Sequence, residues 1–562
     1  MNKNTLLAFF LIALIMVLTP WYLKTVSPVP QEPAGDTTLV YRPVPSPTVT
    51  PLQIELSTSP QDVRIQENSV HEKIIHVENG KYSLDISNLN GGSFKSFILG
   101  DYDKYDSTLV NLIYEKNQNN LLLKFVSVEG DLVELDEFWT LDTPVQNIDA
   151  GRTSKTIIFS TVFKGKTITK SLTFHPQSYS IDLELNLDQV RNSVSQARYS
   201  LSWDGGLPTT EKNHKDEYNY FKGSANLGGG LLKPKRLKNG QPVTAEQSGQ
   251  TNWVSVQNKY FISAIIPTQP AQGAAINGRL EGDHPVYNVN ITQNINTENK
   301  YRLYLGPLDF KLVSDLGVDL EKAIDFGWSP LRPVGKLIIW SLKILHKAIP
   351  NYGVVLIIFS VLLKILLNPL TKKSFQSNRR MQDLQPKIAI LKEKYKNDAQ
   401  KMNKAQMALF KEEGVNPMGG CLPMLLQMPI LISLFAVFRT TIEFRGAPFI
   451  WWISDLSAPD VVFNLPFSIP IYGSHVAILP IIMGVTMFLQ QKLMSPAGGQ
   501  QKITGYFMTG FFLLLFNSFP SGLNLYYTVF NALTIIQQKY LTPAPRAKKP
   551  PLAAGKKQKH KK

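Results

Sequence analysis

Apolar residues are concentrated in two separate parts of the chain. One group lies near the N-terminus and the other follows Pro350, whereas the residues between them are rich in Thr, Ser and Asn. The first run, from Leu6 to about Tyr22, is long enough for a membrane-spanning helix of roughly 20 residues. Because no small-x-small cleavage pattern follows it, we interpret residues 1–24 as an uncleaved transmembrane anchor, with a cleaved signal peptide as the alternative.

The polar region between the two apolar regions has the pattern of a β domain. Residues 25–60 are rich in Pro, Thr and Ser and predict a flexible linker. Residues 61–328 then contain segments in which apolar and polar positions alternate, such as Lys81–Ser87, Thr156–Phe163 and Ser180–Leu187. Long helical patterns are scarce in this region. We therefore predict one large antiparallel β-sandwich.

Residues 329–349 predict an amphipathic helix rather than a membrane span. Lys336, Lys343 and Lys347 recur at helical spacing, and three lysines along one face would be costly in hydrocarbon. We expect this helix to lie in the membrane interface.

The region from residue 350 to residue 541 predicts a five-span helical core. The five apolar stretches are Tyr352–Leu367, Leu422–Phe438, His475–Leu489, Ile503–Phe516 and Leu523–Ile536. With a cytoplasmic N-terminus, the basic segments 371–417 and 542–562 fall on the cytoplasmic side and the loop 440–474 falls outside, as the positive-inside rule requires. Counting the amphipathic helix as a span would reverse this arrangement.

The formal net charge of +16 does not indicate a simple nucleic-acid-binding domain, because most of it lies in two short segments. Residues 371–417 hold eleven Lys and Arg against five Asp and Glu. Apolar residues spaced by three and four predict a helical hairpin there, with a break at Asn397-Asp398 and a kink at Pro386. A solvated basic helix pair without a partner is the alternative.

The second basic segment is the C-terminal tail, which holds eight Lys and Arg and no Asp or Glu within residues 541–562. Such a tail can bind ribosomal RNA, anionic lipid headgroups or both, or only fix the topology. The candidate contact residues are Arg546, Lys548, Lys549, Lys556 and Lys557.

Cofactor chemistry finds no support in the sequence. Cys421 is the single cysteine, so no intrachain disulfide can form, and the eight histidines lack metal-binding spacing. The segment Gly165-Lys166-Thr167 is similar to the end of a phosphate loop, but Ser160 replaces the first glycine of that motif. We predict no cofactor, no metal and a process that is independent of ATP.

Several spaced motifs resemble those of the YidC/Oxa family of membrane protein insertases, over about residues 326–540. The motifs are Asn368-Pro-Leu-Thr, Leu384-Gln-Pro-Lys, Val415-Asn-Pro-Met-Gly-Gly-Cys-Leu-Pro-Met-Leu-Leu-Gln-Met-Pro-Ile, Trp452-Ile-Ser-Asp-Leu-Ser-Ala and Phe519-Pro-Ser-Gly-Leu-Asn-Leu-Tyr-Tyr. The preceding domain resembles the Gram-negative bacterial branch through the shorter runs Asn258-Lys-Tyr-Phe and Tyr304-Leu-Gly-Pro.

This resemblance implies a fold and a function. The fold is a membrane α-helical bundle, with an N-terminal anchor and a five-span core, joined to a periplasmic β-supersandwich and a cytoplasmic helical hairpin. The function is that of an insertase and chaperone, not an enzyme, in the bacterial inner membrane, with both termini cytoplasmic. The implied partners are nascent membrane proteins, the Sec translocon (SecYEG and SecDF), the ribosome and membrane lipids.

The resemblance also implies a hydrophilic groove with a positive residue on the first core span. Most bacterial members have arginine there, whereas this chain has Lys364, which keeps the charge but lacks the bidentate fork of arginine. A charge at mid-bilayer costs about 2.5–3.5 kcal/mol on insertion scales. Either the lysine extends toward the cytoplasmic headgroups, or it lies in a wet groove. The candidate groove residues are Lys364, Ser360, Gln427, Asn524, Tyr526, Tyr527 and Asn531.

Two other function classes remain open from the residues alone. A transporter or channel would also contain an intramembrane lysine, but the core shows no inverted repeat and no acidic partner for it. An enzyme in the β domain is the second alternative, because β-supersandwiches resemble sugar-epimerising folds. No catalytic constellation supports it.

Overall fold

The computed structural model describes residues 71–541 except 115–118, 143–145, 235–236, 238–240, 328, 397, 416–421 and 495–498. The predicted anchor at 1–24, the linker at 25–60 and the basic tail at 542–562 lie outside the described residues.

The described part of the β domain contains two sheets. The strands of the smaller sheet are β1 (Ile74–Glu78), β2 (Tyr82–Ser87), β3 (Ser93–Asp103), β4 (Leu109–Asn111) and β8 (Asn147–Asp149). Those of the larger sheet are β5 (Asn120–Ser127), β6 (Leu132–Glu134), β7 (Thr140–Leu141), β9 (Lys155–Phe163), β10 (Lys166–Phe174), β11 (Ser180–Asn186), β12 (Val194–Trp203), β13 (Lys222–Leu227), β14 (Gly230–Leu232), β15 (Val243–Gln257), β16 (Phe261–Pro267), β17 (Ala271–Glu281), β18 (His284–Asn294) and β19 (Lys300–Pro307).

The strand order of the smaller sheet is β4-β3-β2-β1-β8. The larger sheet runs β6-β5-β12-β18-β17-β15-β16-β19-β11-β10-β9-β7, and β13 and β14 branch from β15. Among the described strands, neighbours pair antiparallel except for β1 with β8. The strands predicted at Lys81–Ser87, Thr156–Phe163 and Ser180–Leu187 are confirmed as β2, β9 and β11.

The two sheets pack against each other through their apolar faces. Buried and accessible positions alternate along β10 and β11, as expected for strands with one covered face. The ring of Phe94 in the smaller sheet lies edge-on to Trp203 in the larger one, with centroids 6.1 Å apart. Gly92 has φ +113° and lies so close to Phe159 and Leu172 that a Cβ would clash with them. The predicted sheet-rich domain is therefore confirmed.

The segment Gly165-Lys166-Thr167 belongs to a β-hairpin. Phe163 and Lys166 are paired across β9 and β10, and the two residues between them, Lys164 and Gly165, have φ values of +51° and +75°. Two consecutive positive φ values are typical of a two-residue hairpin turn, in which glycine is favoured. The glycine therefore serves a turn.

The helices of the described residues lie mostly after residue 309. They are α1 (His214–Glu217), α2 (Phe310–Ser314), α3 (Arg332–Ala348), α4 (Tyr352–Asp383), α5 (Gln385–Lys394), α6 (Ala399–Glu412), α7 (Leu422–Thr440), α8 (Ile478–Met494), α9 (Gly499–Phe516) and α10 (Ser521–Ile536), with 3₁₀ turns at Asp188–Ser193, Leu320–Ala323, Ser329–Leu331 and Ile442–Phe444 and a π turn at Gln537–Leu541. Within the described ranges, Tyr352–Lys372 is the one helical stretch long and apolar enough to cross a membrane, with a mean hydropathy of 2.3. The shorter apolar helices are Gln427–Thr440, Ile478–Leu493 and Tyr506–Phe516.

The third predicted span starts later than the sequence indicated. His475 lies in the second strand of a hairpin formed by β20 (Val461–Ile469) and β21 (Gly473–Ala477), so the prediction of a helix from His475 is wrong. Helix α8 begins at Ile478 because the carboxylate of Asp460 accepts hydrogen bonds from the backbone N–H groups of Ile478 (3.1 Å) and Leu479 (2.8 Å).

Helix α3 covers the predicted amphipathic segment, and two of its lysines face the β domain. The ammonium of Lys343 forms ion pairs with Asp309 (3.0 Å) and Glu443. Lys336 lies 5.3 Å from the centre of the Phe310 ring. Ile338, Ile339 and Leu342 are buried against the helical bundle, whereas Leu337, Trp340 and Ile344 are exposed. The helix therefore exposes an apolar face, and its position in the membrane interface stays a prediction.

Helices α5 and α6 share a small apolar core of their own. It consists of Met381, Leu384, Ile388, Phe410 and Val415. Leu384 separates the end of α4 from the start of α5. Pro386 lies in the first turn of α5, where proline is tolerated because the N–H groups of a first turn donate no helical hydrogen bond. Asp398 caps α6 by accepting from the N–H of Lys401 at 2.9 Å.

Lys170 is fully buried in the core of the β domain. Its ammonium donates to the carbonyl oxygens of Asn90 (2.5 Å) and Leu121 (2.8 Å), and lies 5.2 Å from the centre of the Trp139 ring. Burial lowers the pKa of Lys170 to about 7, since a charge is poorly solvated there.

This lysine predicts a pH dependence of stability. Between pH 7 and about 10 the unfolded chain binds more protons at Lys170 than the folded chain, so stability should rise with pH by at most about 1.4 kcal/mol per pH unit. We expect the full-length protein in detergent to show this rise in denaturant unfolding, and the Lys170→Met variant to lack it. Equal slopes for the two proteins would contradict the prediction.

Candidate functional site

Lys364 points into the helical bundle. It is 8% exposed, and its Nζ donates to the hydroxyl of Thr534 on α10 at 2.6 Å. Two rings flank the ammonium, Phe530 at 4.5 Å and Phe375 at 5.6 Å from their centroids. Cation–π contacts of this kind offset part of the cost of removing the charge from water. The ammonium thus contacts both α10 and the part of α4 that follows Lys364.

A polar layer lies one to two turns after Lys364 along α4. The amide of Gln537, which follows α10, donates to Asn368 and also approaches the hydroxyl of Thr371 at 3.4 Å. Thr371 in turn donates to the carbonyl oxygen of Leu367 at 3.0 Å. Polar groups therefore continue from Lys364 toward the α5 end of the helix.

Two other predicted groove residues lie near this lysine. Ser360 is fully buried one helical turn before Lys364, and its hydroxyl donates to the carbonyl oxygen of Leu356 at 2.7 Å. Asn531 is buried on α10 three residues before Thr534, hence on the same helical face. Its Nδ2 has no hydrogen-bond partner within the described part of the chain. Asn531 thus brings an unsatisfied polar group close to the lysine.

Gln427, Tyr526 and Tyr527 form a second group. Gln427 on α7 lies near Tyr526, whose buried hydroxyl forms no hydrogen bond within the described part of the chain. The Tyr526 ring packs against Phe530, with centroids 5.7 Å apart, and Tyr527 lies edge-on to Phe516 at 5.5 Å. Phe530 therefore joins this group to Lys364.

Asn524 lies at the other end of α10. Its amide donates to the carbonyl oxygens of Phe516 (3.1 Å) and Phe519 (3.4 Å) and so closes the turn between α9 and α10. It precedes Thr534 by ten residues, about 15 Å along a helix axis. The structure therefore separates Asn524 from Lys364.

The sequence did not indicate Thr534, Phe530 or Phe375 as neighbours of Lys364. All three occur in helical patterns where threonine and phenylalanine are ordinary packing residues. Only the pairing of α4 with α10 gives them a role, and a single sequence contains no signal for that pairing.

Charged residues also join the helical bundle to the β domain. Arg439, at the end of α7, pairs with Asp216 on α1, and Lys259 approaches the other oxygen of the same carboxylate at 3.1 Å. In the loop after α7, Arg445 pairs with Glu211 at 2.6 Å. These ion pairs are largely shielded from solvent, and no local pattern in the sequence predicts them.

A buried carboxyl group orients this junction. The Glu217 carboxyl accepts from the N–H (3.0 Å) and hydroxyl (2.9 Å) of Thr210 and from the N–H of Glu211 (3.1 Å). Burial raises the pKa of Glu217 to about 7. The segment that carries Glu211 is thereby fixed toward Arg445.

The remaining predicted contacts, Arg546, Lys548, Lys549, Lys556 and Lys557, lie outside the described residues. Within the described residues, no group of three or more His, Cys, Asp or Glu side chains is placed to hold a metal ion.

Two family models match the two parts of the chain. Residues 344–548 match the 60Kd inner membrane protein family and residues 74–340 match the YidC periplasmic domain. The membrane protein insertase YidC of Chlorobaculum parvum is 35% identical over 556 residues, which cover 96% of this chain and 94% of that protein. The YidC insertase of Chlorobium limicola is 34% identical over 574 residues, with coverages of 99% and 97%.

A crystal structure of an active YidC insertase with its first transmembrane domain resolved is also similar. It is 18% identical, covers 84% of this chain and 95% of its own, and superposes with a TM-score of 0.37. The sequence relatives, rather than this superposition, decide the assignment.

A β domain followed by a helical module, matched in this order, defines a class of inner-membrane protein with a periplasmic domain. Within that class, the two YidC insertases are 35% and 34% identical to this chain over nearly the whole length of both proteins. The chain belongs to the YidC family of membrane protein insertases.

Proposed function

We propose that this protein inserts membrane proteins into the bacterial inner membrane and helps them to fold, using a hydrophilic groove between α4 and α10. The observation that carries the proposal is the buried ammonium of Lys364, whose hydrogen-bond partner is the hydroxyl of Thr534. Among the described residues Lys364 forms no ion pair. A buried cation without a carboxylate is costly, so an arriving carboxylate would be attracted to it.

The physical advantage of such a groove is a shorter apolar path. A nascent chain must move its polar flank across hydrocarbon, and polar groups inside the bundle reduce the distance over which that flank is unsolvated. The cation attracts acidic residues of the flank, while the hydrophobic segment of the substrate leaves sideways into lipid. No step of this process requires ATP.

The groove lining that we propose follows the contacts around Lys364. Ser360 and Asn531 lie on the helical faces nearest to it, and Gln427, Tyr526 and Tyr527 extend the lining toward α7. Asn524 would belong to the end of the groove, at the turn between α9 and α10.

The proposed topology has six spans, namely the N-terminal anchor and helices α4, α7, α8, α9 and α10, with both termini cytoplasmic. The predicted domains are then 61–328 in the periplasm, 329–349 at the membrane interface, and 350–541 as the insertase core. Helices α5 and α6 form the cytoplasmic hairpin of segment 371–417. The basic charge of this segment supports the orientation.

Proposed partners are nascent membrane proteins, the Sec translocon, the ribosome and anionic lipids. The basic tail supports the last two, because phosphate groups of RNA and of lipid headgroups attract Lys and Arg alike.

Reconstitution tests the insertase proposal. The purified full-length protein is placed in pure liposomes, and a small membrane protein is synthesised in their presence by a translation mixture that contains no ATP-driven translocation factor. We expect the substrate to become integrated and its translocated end to be protected from protease. The same vesicles should show no solute flux. If the substrate becomes integrated only after the Sec translocon is added, the protein does not insert it alone and has a translocon-dependent role.

Deleting residues 546–562 tests the ribosome contact. The segment holds eight Lys and Arg, and binding of phosphates by such residues weakens steeply with salt. We expect the truncated protein to co-sediment less with translating ribosomes at low salt, and the difference to vanish at high salt. Equal co-sedimentation of both proteins would exclude the tail as a ribosome contact.

A further inference from the structure

The β20–β21 hairpin is attached firmly to the ends of the membrane helices. Asp460 precedes β20 and caps α8, which follows β21 without an intervening residue. Asn517, in the turn between α9 and α10, accepts from the N–H of Ala477 (3.0 Å) and donates to the carbonyl oxygens of Tyr472 (2.9 Å) and His475 (2.6 Å). The base of the hairpin is thus held in a defined position.

The hairpin is apolar and exposed on both faces. Residues 461–477 contain no Lys, Arg, Asp or Glu. Phe463 and Phe467 are 60% and 61% exposed, and Val462, Ile469 and Ile471 are exposed as well. Every residue of β20 is exposed except Leu465, which is partly exposed, so neither face of the strand is covered within the described part of the chain.

The position of the hairpin relative to the helices indicates what covers it. Ser521 lies at the start of α10. Its hydroxyl donates to the backbone carbonyl oxygen of Asp455, and its N–H donates to that of Ala458. The end of α7, which precedes this loop, contacts the β domain through Arg439. The hairpin therefore lies at the end of the bundle that faces the β domain, beside the first turns of α8 and α10.

Pairing with a second copy of the chain is disfavoured by the strand itself. Pro466 lies within β20 and has no N–H to donate, and the register is broken between Asn464 and Ile469. Proline and irregular register are features that prevent edge-to-edge pairing. One protein surface could also cover only one of the two apolar faces, whereas lipid can surround both.

We propose that the β20–β21 hairpin inserts into the headgroup–acyl boundary of the outer leaflet. Aromatic and branched side chains without charge are typical of this boundary. The unpaired backbone groups of a two-stranded hairpin exclude the hydrocarbon centre, so the insertion is shallow. The proposal rests on the proposed function only in that α8 and α10 span the membrane.

Site-directed spin labelling tests this placement. Phe467→Cys is introduced into the full-length protein with Cys421→Ser, labelled, and reconstituted in vesicles of phosphatidylethanolamine and phosphatidylglycerol. We expect the label to be more accessible to oxygen than to a water-soluble nickel complex, at a depth of about 5–10 Å. A matched label at Val162→Cys, a 59% exposed strand position of the β domain, should show the opposite preference.

Two outcomes would overturn the proposal. A Phe467→Cys label that prefers the nickel complex would place the hairpin in water. Spin–spin broadening that increases with the protein-to-lipid ratio would identify a second copy as the occupant. Phe463→Cys provides a second labelling position if the first variant does not fold. The measurement is independent of insertion activity, so an inactive protein with a lipid-inserted hairpin would separate this inference from the proposed function.

Discussion

Replacing Lys364 by alanine is expected to reduce the insertion of substrates with acidic translocated segments by roughly tenfold or more. A hydrogen bond to a charged group contributes about 1.5–3 kcal/mol, and about 1.4 kcal/mol corresponds to a factor of ten. Among the described residues, a neutral hydroxyl is the one hydrogen-bond partner of the buried ammonium, so a substrate carboxylate adds an interaction that is otherwise missing. The measurement is the protease-protected fraction of substrate in liposomes that contain the variant.

Two matched variants separate charge from packing. Lys364→Arg keeps the charge and should insert nearly as well as the unmodified protein. Thr534→Val removes the hydroxyl but leaves the ammonium in place, and should have a smaller effect than Lys364→Ala. Substrates without acidic residues in the translocated segment should be less affected by any of the three. Normal insertion of every substrate by Lys364→Ala would exclude this role.

The direction of the Lys364 side chain bears on the alternative that the lysine extends to the headgroups. An extended lysine would point along α4 toward Pro369, and the observed ammonium lies 5.6 Å from the centre of the ring of Phe375, eleven residues further along α4, while it donates to Thr534 on α10. The residue is 8% exposed, so its side chain is enclosed by the helical bundle. The ammonium therefore contacts both α10 and the later part of α4, and the wet groove stays a proposal.

Much of the fold follows from local patterns in the sequence. Strands such as β10 and β11 have one covered face, so their alternation identifies them without knowledge of their partners. The order of the fourteen strands does not follow from the pattern, because β12 pairs with β18 across many intervening residues. The hairpin β20–β21 was missed for a different reason: both of its faces are apolar, so no alternation indicates a strand.

Residues of the candidate site could be predicted from the sequence only where their polarity differs from that of the neighbouring positions. Lys364 interrupts an apolar run and is conspicuous on that ground alone. Thr534 does not conflict with its own helix and becomes significant only through its contact with Lys364. Likewise, Asp216 and Arg439 are 223 residues apart, and each alone is typical of a solvated surface position.

The second large expected effect is a loss of stability when the ion pair between Asp216 and Arg439 is removed. The Asp216 carboxylate pairs with two cations, Arg439 and Lys259, and the exposed fractions of these three side chains are 14%, 12% and 9%. Removing one partner of a buried ion pair costs about 3–5 kcal/mol, because the remaining charge stays buried without compensation. We expect Asp216→Ala to lower the free energy of unfolding by about this amount. Arg439→Ala should cost less, since Lys259 still compensates the carboxylate.

Thermal unfolding of the full-length protein in detergent shows whether Asp216→Ala lowers the unfolding midpoint more than Arg439→Ala does. The matched control is Asp188→Ala, which removes an aspartate that pairs with Arg191, where the two side chains are 66% and 44% exposed. Exposed pairs contribute about 0–1 kcal/mol, so the control should leave the unfolding midpoint almost unchanged. Because Arg439 ends α7 and Asp216 belongs to the β domain, Asp216→Ala should also increase protease cleavage between the two parts. A midpoint for Asp216→Ala equal to that of the control would show that the junction does not depend on this carboxylate.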